Sequence, residues 1–180
     1  MKKALTFSFL VLVLFLTNSI EAQKFGGLDK SPADIATYPS SYKVSDKKIK
    51  IVYSRPQLKG RSLSELAPAG KVWRTGANEA VEIIFYKDVK IGGKAVKAGT
   101  YSLFTIPEAN EWTVILNSKL NQWGAYSYDK SADIARVKGT VSKSKENIEA
   151  FSIAFKGDKE SATELVLGWS TTRVFVPIEL

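Results

Sequence analysis

Between Lys71 and Ala80 the chain reads Lys-Val-Trp-Arg-Thr-Gly-Ala-Asn-Glu-Ala, which places an aromatic ring, a guanidinium, a hydroxyl, an amide and a carboxylate around one glycine. The planar fork of Arg74 beside the amide of Asn78 and the ring of Trp73 suits a carboxylate, a phosphate or a pair of sugar hydroxyls. Arg55, Arg61 and Glu79 complete the constellation. Trp123 and Tyr126, with Tyr128 close by, add aromatic platforms of the kind that receive sugar rings or peptides. The expected ligand-binding set is therefore Arg55, Arg61, Trp73, Arg74, Asn78, Glu79, Trp123 and Tyr126. The same residues also admit a structural reading, in which Arg55 or Arg74 neutralises Glu79 and Asn78 bonds the backbone of a fold-fixing corner.

The sequence contains no histidine and no cysteine. That excludes a histidine-based catalytic triad, a cysteine nucleophile and a zinc site built on histidine or thiolate. Carboxylate chemistry is what remains, with Glu79 as acid or base and an arginine stabilising developing negative charge. A glycosidase needs two carboxylates facing one gap. Glu79 and Glu82, three apart on one strand, read as lying on opposite faces. No acidic spacing matches a calcium loop. No catalytic residue, metal or cofactor is assigned, and Glu79 is catalytic only under a hydrolase or lyase alternative.

These residues need a scaffold, and the apolar pattern supplies strands. Ile49, Ile51 and Tyr53 alternate with Lys50, Val52 and Ser54, and carry Arg55 towards the inner face at the strand's end. Ser62-Leu63-Ser64-Glu65 has the form of a capping box opening a helix of one or two turns, because Pro68 follows. From Glu79 to Tyr86, Val81, Ile83 and Phe85 share one face and Glu82 and Tyr86 the other; by the same parity Glu79 falls on the core face. Lys87 to Lys97 reads as a hairpin turning at Gly92-Gly93, with its lysines guarding an edge. Gly99 to Ile106 is apolar on both parities, hence central.

Trp112, Val114 and Leu116 mark the next strand, and Ser118 to Trp123 a short helix stopped by a left-handed Gly124. Four further runs follow, Ile134 to Val141, Ile148 to Phe155, Glu164 to Trp169 and Arg173 to Ile178. About nine short, mainly antiparallel strands with one or two short helices predict an all-β fold, a β-sandwich or partly closed barrel.

The first residues follow a targeting pattern. Lys2 and Lys3 precede an apolar run from Ala4 to Leu16 broken only by Thr6 and Ser8, and a small residue, Ala22, ends the segment. This reads as a signal peptide over residues 1–22, too short for a membrane span. Export to the periplasm or the medium follows. Residues 23–46 then form an arm packed on a single domain over 47–180. Without cysteine, an exported domain of this size must be held by packing alone. Removing Lys2, Lys3 and Glu21 lowers the formal net charge from +8 to +7. That favours acidic ligands, while no nucleic-acid module is present.

Tyr53-Ser54-Arg55-Pro56, Lys59-Gly60-Arg61, the stretch Trp73 to Ala80, and Ala98-Gly99-Thr100-Tyr101-Ser102-Leu103-Phe104-Thr105-Ile106-Pro107 resemble the signature of the secreted bacterial domain of unknown function numbered 2911. Leu28-Asp29-Lys30-Ser31-Pro32 and Asn121-Gln122-Trp123-Gly124 extend the resemblance over nearly all of the chain beyond the leader. It implies no activity and no catalytic roles. One departure is Pro68-Ala69-Gly70, where the family typically has Pro-Tyr-Gly; if that tyrosine lines a site, the site here lacks one wall.

Three functions follow. The first is a non-catalytic binding module for a small anionic or glycan-like ligand at the Trp73 to Glu79 corner. The second is a structural or accessory envelope domain, and the third a carboxylate-based hydrolase or lyase. The sequence leaves the oligomeric state open.

Overall fold

The computed structural model describes residues 23–157 and 160–180; the expected leader lies outside them. Among the described residues nine strands form one continuous sheet, all neighbours antiparallel. They are β1 (Ala33–Tyr38), β2 (Ile49–Ser54), β3 (Val81–Phe85), β4 (Val89–Ile91), β5 (Lys94–Val96), β6 (Gly99–Ile106), β7 (Glu111–Asn117), β8 (Asp133–Lys156) and β9 (Ala162–Glu179). Their order across the sheet is β1-β2-β3-β6-β7-β8-β9-β4-β5. The sheet does not close on itself, and the fold is all-β and sandwich-like.

Alternation dictates the inner face. Ile49, Ile51 and Tyr53 of β2 and Val81, Ile83 and Phe85 of β3 are all buried in one core. The β4–β5 hairpin turns at Gly92 and Gly93, both at positive φ, the backbone that a two-residue turn between twisted strands demands. Ser62 caps a single helical turn, α1 (Leu63–Leu66), through the reciprocal Ser62–Glu65 box.

Two expectations are corrected here. The four C-terminal runs are not four strands but two long ones, because the chain stays extended and paired on either side of the polar stretches between them. The pairing of β8 with β9 slips between Lys143 and Ser152. Such irregularities bend a strand pair. The first half of β8 pairs with β7, and its second half meets the end of β2. The helix expected over 118–123 is also absent, since Asn121 takes a positive φ and Trp123 enters a β-bridge. The missing compact helix is replaced by a loop laid over the sheet. Residues 33–38 meanwhile form a six-residue edge ladder with β2, from Ala33 opposite Ser54 to Tyr38 opposite Ile49.

The second half of β8 is tied to β2 by side chains as well as backbone. Arg55 donates from Nε to the Phe151 carbonyl at 3.0 Å, from Nη2 to Ser152 Oγ at 2.8 Å and from Nη1 to the Asp34 carboxylate at 3.0 Å. The Tyr53 hydroxyl accepts from the Ile153 N–H at 3.1 Å. Between the layers, the Trp73 ring stacks on Trp169 with centroids 5.5 Å apart and meets Phe151 edge-on at 5.2 Å and Trp112 at 6.1 Å. Each such pair contributes about 0.5–1.5 kcal/mol beyond its burial.

Candidate functional site

The apolar character of β6 on both parities has a physical cause. Leu103 faces the main core, whereas Phe104 lies on the outer face with Ile115 and Ala80, under Tyr128 and Ala125. What covers that outer face is the segment between β7 and β8.

A row of polar side chains seats this segment. Glu82, Ser102, Asn117 and Asp133 are successive partners across β3, β6, β7 and β8. Glu82 Oε1 accepts from the Asn121 N–H at 3.1 Å, and Ser102 Oγ donates to the Lys119 carbonyl at 2.7 Å. Asn117 Nδ2 donates to the Asp129 carbonyl and to Asp133 Oδ1, while its Oδ1 accepts from the Lys119 N–H. Asp133 Oδ2 accepts from the Tyr128 hydroxyl at 2.6 Å and from Arg136 at 2.7 Å. Burial and the neighbouring Asp133 push the Tyr128 hydroxyl up to about 12. Asp129 is held below the usual carboxylate range by Lys119 and Ser131. None of these anchors was named from sequence as a site residue, although polar residues at outward positions of central strands were the available signal.

The corner from Trp73 to Ala80 meets this segment backbone to backbone. Trp73 exchanges two hydrogen bonds with Thr105, at 2.7 and 2.9 Å, which fixes the start of the corner on β6. Thr75 and Asn78 both take φ 60°, so the chain doubles back before β3 begins. Glu79 and Trp123 then form a β-bridge, the Ala80 N–H donates to the Gln122 carbonyl at 2.8 Å, and the Gly124 N–H donates to the Asn78 carbonyl at 3.0 Å.

Side chains of the two segments enclose a recess of about 200 Å³ lined by Arg74, Asn78, Trp123, Gly124 and Tyr126. Trp123 is 62% exposed and Tyr126 85% exposed. The Tyr126 ring lies over Gly124, where an added Cβ would stand 2.7 Å from it. Gly124 also takes φ 67°, the left-handed conformation that glycine adopts without penalty. The Arg74 side chain makes no hydrogen bond or ion pair among the described residues, while its backbone carbonyl accepts from the Val81 N–H at 3.2 Å. Its Nε is buried without a partner. An unpaired buried donor costs about 1–3 kcal/mol, so this guanidinium is held in place by its surroundings and not by a counter-ion. At the rim, Asp29 is kept below the usual carboxylate range first by the Ser31 N–H, then by the Asn78 side chain.

Of the eight residues expected at the site, Arg74, Asn78, Trp123 and Tyr126 come together. The other four lie elsewhere. Trp73 is 5% exposed and belongs to the core, so it offers no face to a ligand. Arg55 is engaged with Asp34, Phe151 and Ser152. Arg61 donates to the carbonyls of Leu58 and Gln57, closing its own loop.

Glu79 is exposed and not on the core face, because β3 starts only at Val81 and the bridge to Trp123 breaks the parity that sequence implied. The expected pairing of Glu79 with Arg55 or Arg74 is not formed. Nor do Glu79 and Glu82 diverge: both line a neighbouring groove of about 220 Å³ with Ala33, Val52 and Asn121. Ala69, the departure noted above, is not a missing wall of the recess; it borders a different groove beside α1.

No helix among the described residues is long and apolar enough to cross a membrane. Neither a curated protein nor a solved structure matches the chain. One family does, under the description "Protein of unknown function (DUF2911)", over residues 31–178. That span takes in β1 to β8 and β9 up to Ile178, the polar row that seats the outer loop, and each wall of the Arg74 recess. The chain therefore belongs to the DUF2911 family of proteins of unknown function.

Proposed function

We propose that this chain is an exported, non-catalytic binding module whose recess between Arg74, Asn78, Trp123 and Tyr126 holds a small anionic or glycan-like ligand. The observation that carries the reading is the Arg74 side chain, which lines the recess with no partner of its own. A guanidinium offers paired donors to a carboxylate or phosphate, and two exposed rings beside it offer flat apolar faces to a sugar. Asn78 adds both a donor and an acceptor at the wall. The loop that carries the rings is pinned to the sheet, so little ordering entropy remains to be lost on binding.

The test is a thermal-shift screen of the chain from Gln23 onwards against uronic acids, neutral sugars, amino acids and phosphates. A ligand at 100 times its dissociation constant adds about 2.7 kcal/mol. A hit that disappears in Arg74→Ala supports the recess. A hit retained in that variant, or no hit across the anions, removes the reading. Export is tested by sequencing the N-terminus of the protein recovered outside the cytoplasm, which is expected to begin at Gln23.

The second reading, a structural envelope domain, is favoured by the burial of Trp73 in the aromatic core. It predicts a surface that engages another macromolecule and a recess that stays empty.

A further inference from the structure

The Arg74 recess has an acidic neighbour. Glu79 and Glu82 line the groove of about 220 Å³ on the other side of the Glu79–Trp123 bridge, and no lysine or arginine lines it. We infer that recess and groove are two halves of one elongated site, for a short peptide whose terminal carboxylate meets Arg74 and whose ammonium meets Glu79 and Glu82. The inference rests on the reading of the recess as an anion site and adds a second, opposite charge to the ligand.

The two spaces share a wall. Asn78 lines the recess and Glu79 the groove; on the facing segment Trp123 and Gly124 line the recess and Asn121 the groove. Backbone bonds from Ala80 to the Gln122 carbonyl and from Gly124 to the Asn78 carbonyl hold that wall together. The Val81 N–H donates to the Arg74 carbonyl, so the arginine leaves the chain beside the residue that precedes Glu82. Guanidinium and carboxylates therefore stand on the order of 10 Å apart, the span of about three extended residues.

Each half holds a charge that the protein leaves open. Arg74 Nε is buried without a partner, and neither Glu79 nor Glu82 forms an ion pair among the described residues. The Asn121 N–H holds Glu82 through Oε1 and leaves Oε2 free. Lys50, on the same face of β2 as Val52, does not line the groove. A simple anion satisfies one half and meets repulsion from the other. Opposite charges held apart in adjoining hollows are complementary to a molecule that carries both. Between its termini, a peptide's amides meet the side chains of Asn78 and Asn121. Trp123, 62% exposed, and Val52, 38% exposed, offer apolar surface on either side of the wall.

Isothermal titration of the chain from Gln23 onwards with triglycine, N-acetyl-triglycine and triglycine amide tests this. Triglycine is expected to bind, and each blocked peptide about tenfold more weakly, as the loss of a charge-assisted hydrogen bond implies. Arg74→Ala should remove triglycine binding. Glu79→Gln should bring triglycine down to the level of N-acetyl-triglycine; Glu79 is exposed and unpaired, so the variant is expected to keep the wild-type melting temperature. The inference is overturned if N-acetyl-triglycine binds as tightly as triglycine, or if Glu79→Gln leaves the difference between them unchanged. The anion reading of the recess survives either result. The inference also falls if none of the three peptides binds at millimolar concentration, and the uronic acid and phosphate arms of the thermal-shift screen then decide separately whether the recess reading stands.

Discussion

Glu79 and Trp123 are joined through their backbones, and their side chains diverge: the carboxylate borders one groove and the indole borders the Arg74 recess. This bridge separates what the sequence presents as one chemical cluster. Arg74 lies on the recess side of it, without an acidic partner.

Arg74→Ala should therefore leave stability within about 1 kcal/mol of wild type, because no ion pair is lost and a buried unpaired donor is removed. Chemical denaturation checks it. A loss of several kcal/mol would mean that the side chain is a structural post and would send the functional search elsewhere.

Arg55→Ala is expected to behave in the opposite way. It removes three hydrogen bonds that join β2 to β1 and to the second half of β8. The pair with Asp34 is about a third exposed, which limits its worth. A loss of about 2 kcal/mol is expected, without any change in ligand affinity.

Trp73→Ala should cost about 3–5 kcal/mol, since it opens a cavity among Trp112, Phe151 and Trp169. A shift of less than 1 kcal/mol in urea would contradict its placement in the core.

Gly124→Ala combines two effects. Backbone strain at φ 67° costs about 1–2 kcal/mol, and the new methyl displaces the Tyr126 ring. Ligand affinity is expected to fall even where the fold survives, as measured by titration of the variant at a temperature well below its melting point.

The raised Tyr128 hydroxyl predicts an alkaline limit. Its folded-state value, about 12, lies above the ordinary 10, so the folded form holds the proton more tightly. Its contribution to stability is complete below pH 10 and declines as pH rises from 10 through about 12. Phenolate absorbance should show a late-titrating component that Tyr128→Phe reduces, the buried Tyr53 supplying the remainder, and the variant's stability should depend less on pH over that window.

The inner face was legible in the sequence because burial imposes a strict period of two on β2 and β3. Glu79 was misplaced for the same reason: parity holds only while the chain stays extended, and Asn78 at φ 60° and the bridge at Trp123 end it. Phe104 announced that β6 is covered on both sides, but not by what, since the covering loop has no periodicity to read. The clustering of Arg74 and Asn78 with Trp123 and Tyr126 depends on that loop's seat, and hence on four polar residues contributed by four different strands. The unity of β8 was hidden because its middle, around Lys143 to Asn147, is polar enough to resemble a turn.

The long β8–β9 ribbon also sets an order of events. Phe151 and Trp169, the rings that enclose Trp73, lie in the final third of the chain, so the aromatic centre cannot be sealed while a growing or threading polypeptide stops at β7. Contacts so distant in sequence are slow to form. A chain released early would leave the Trp73 and Trp112 rings without Phe151 and Trp169 to cover them, which makes premature termination prone to aggregate this protein.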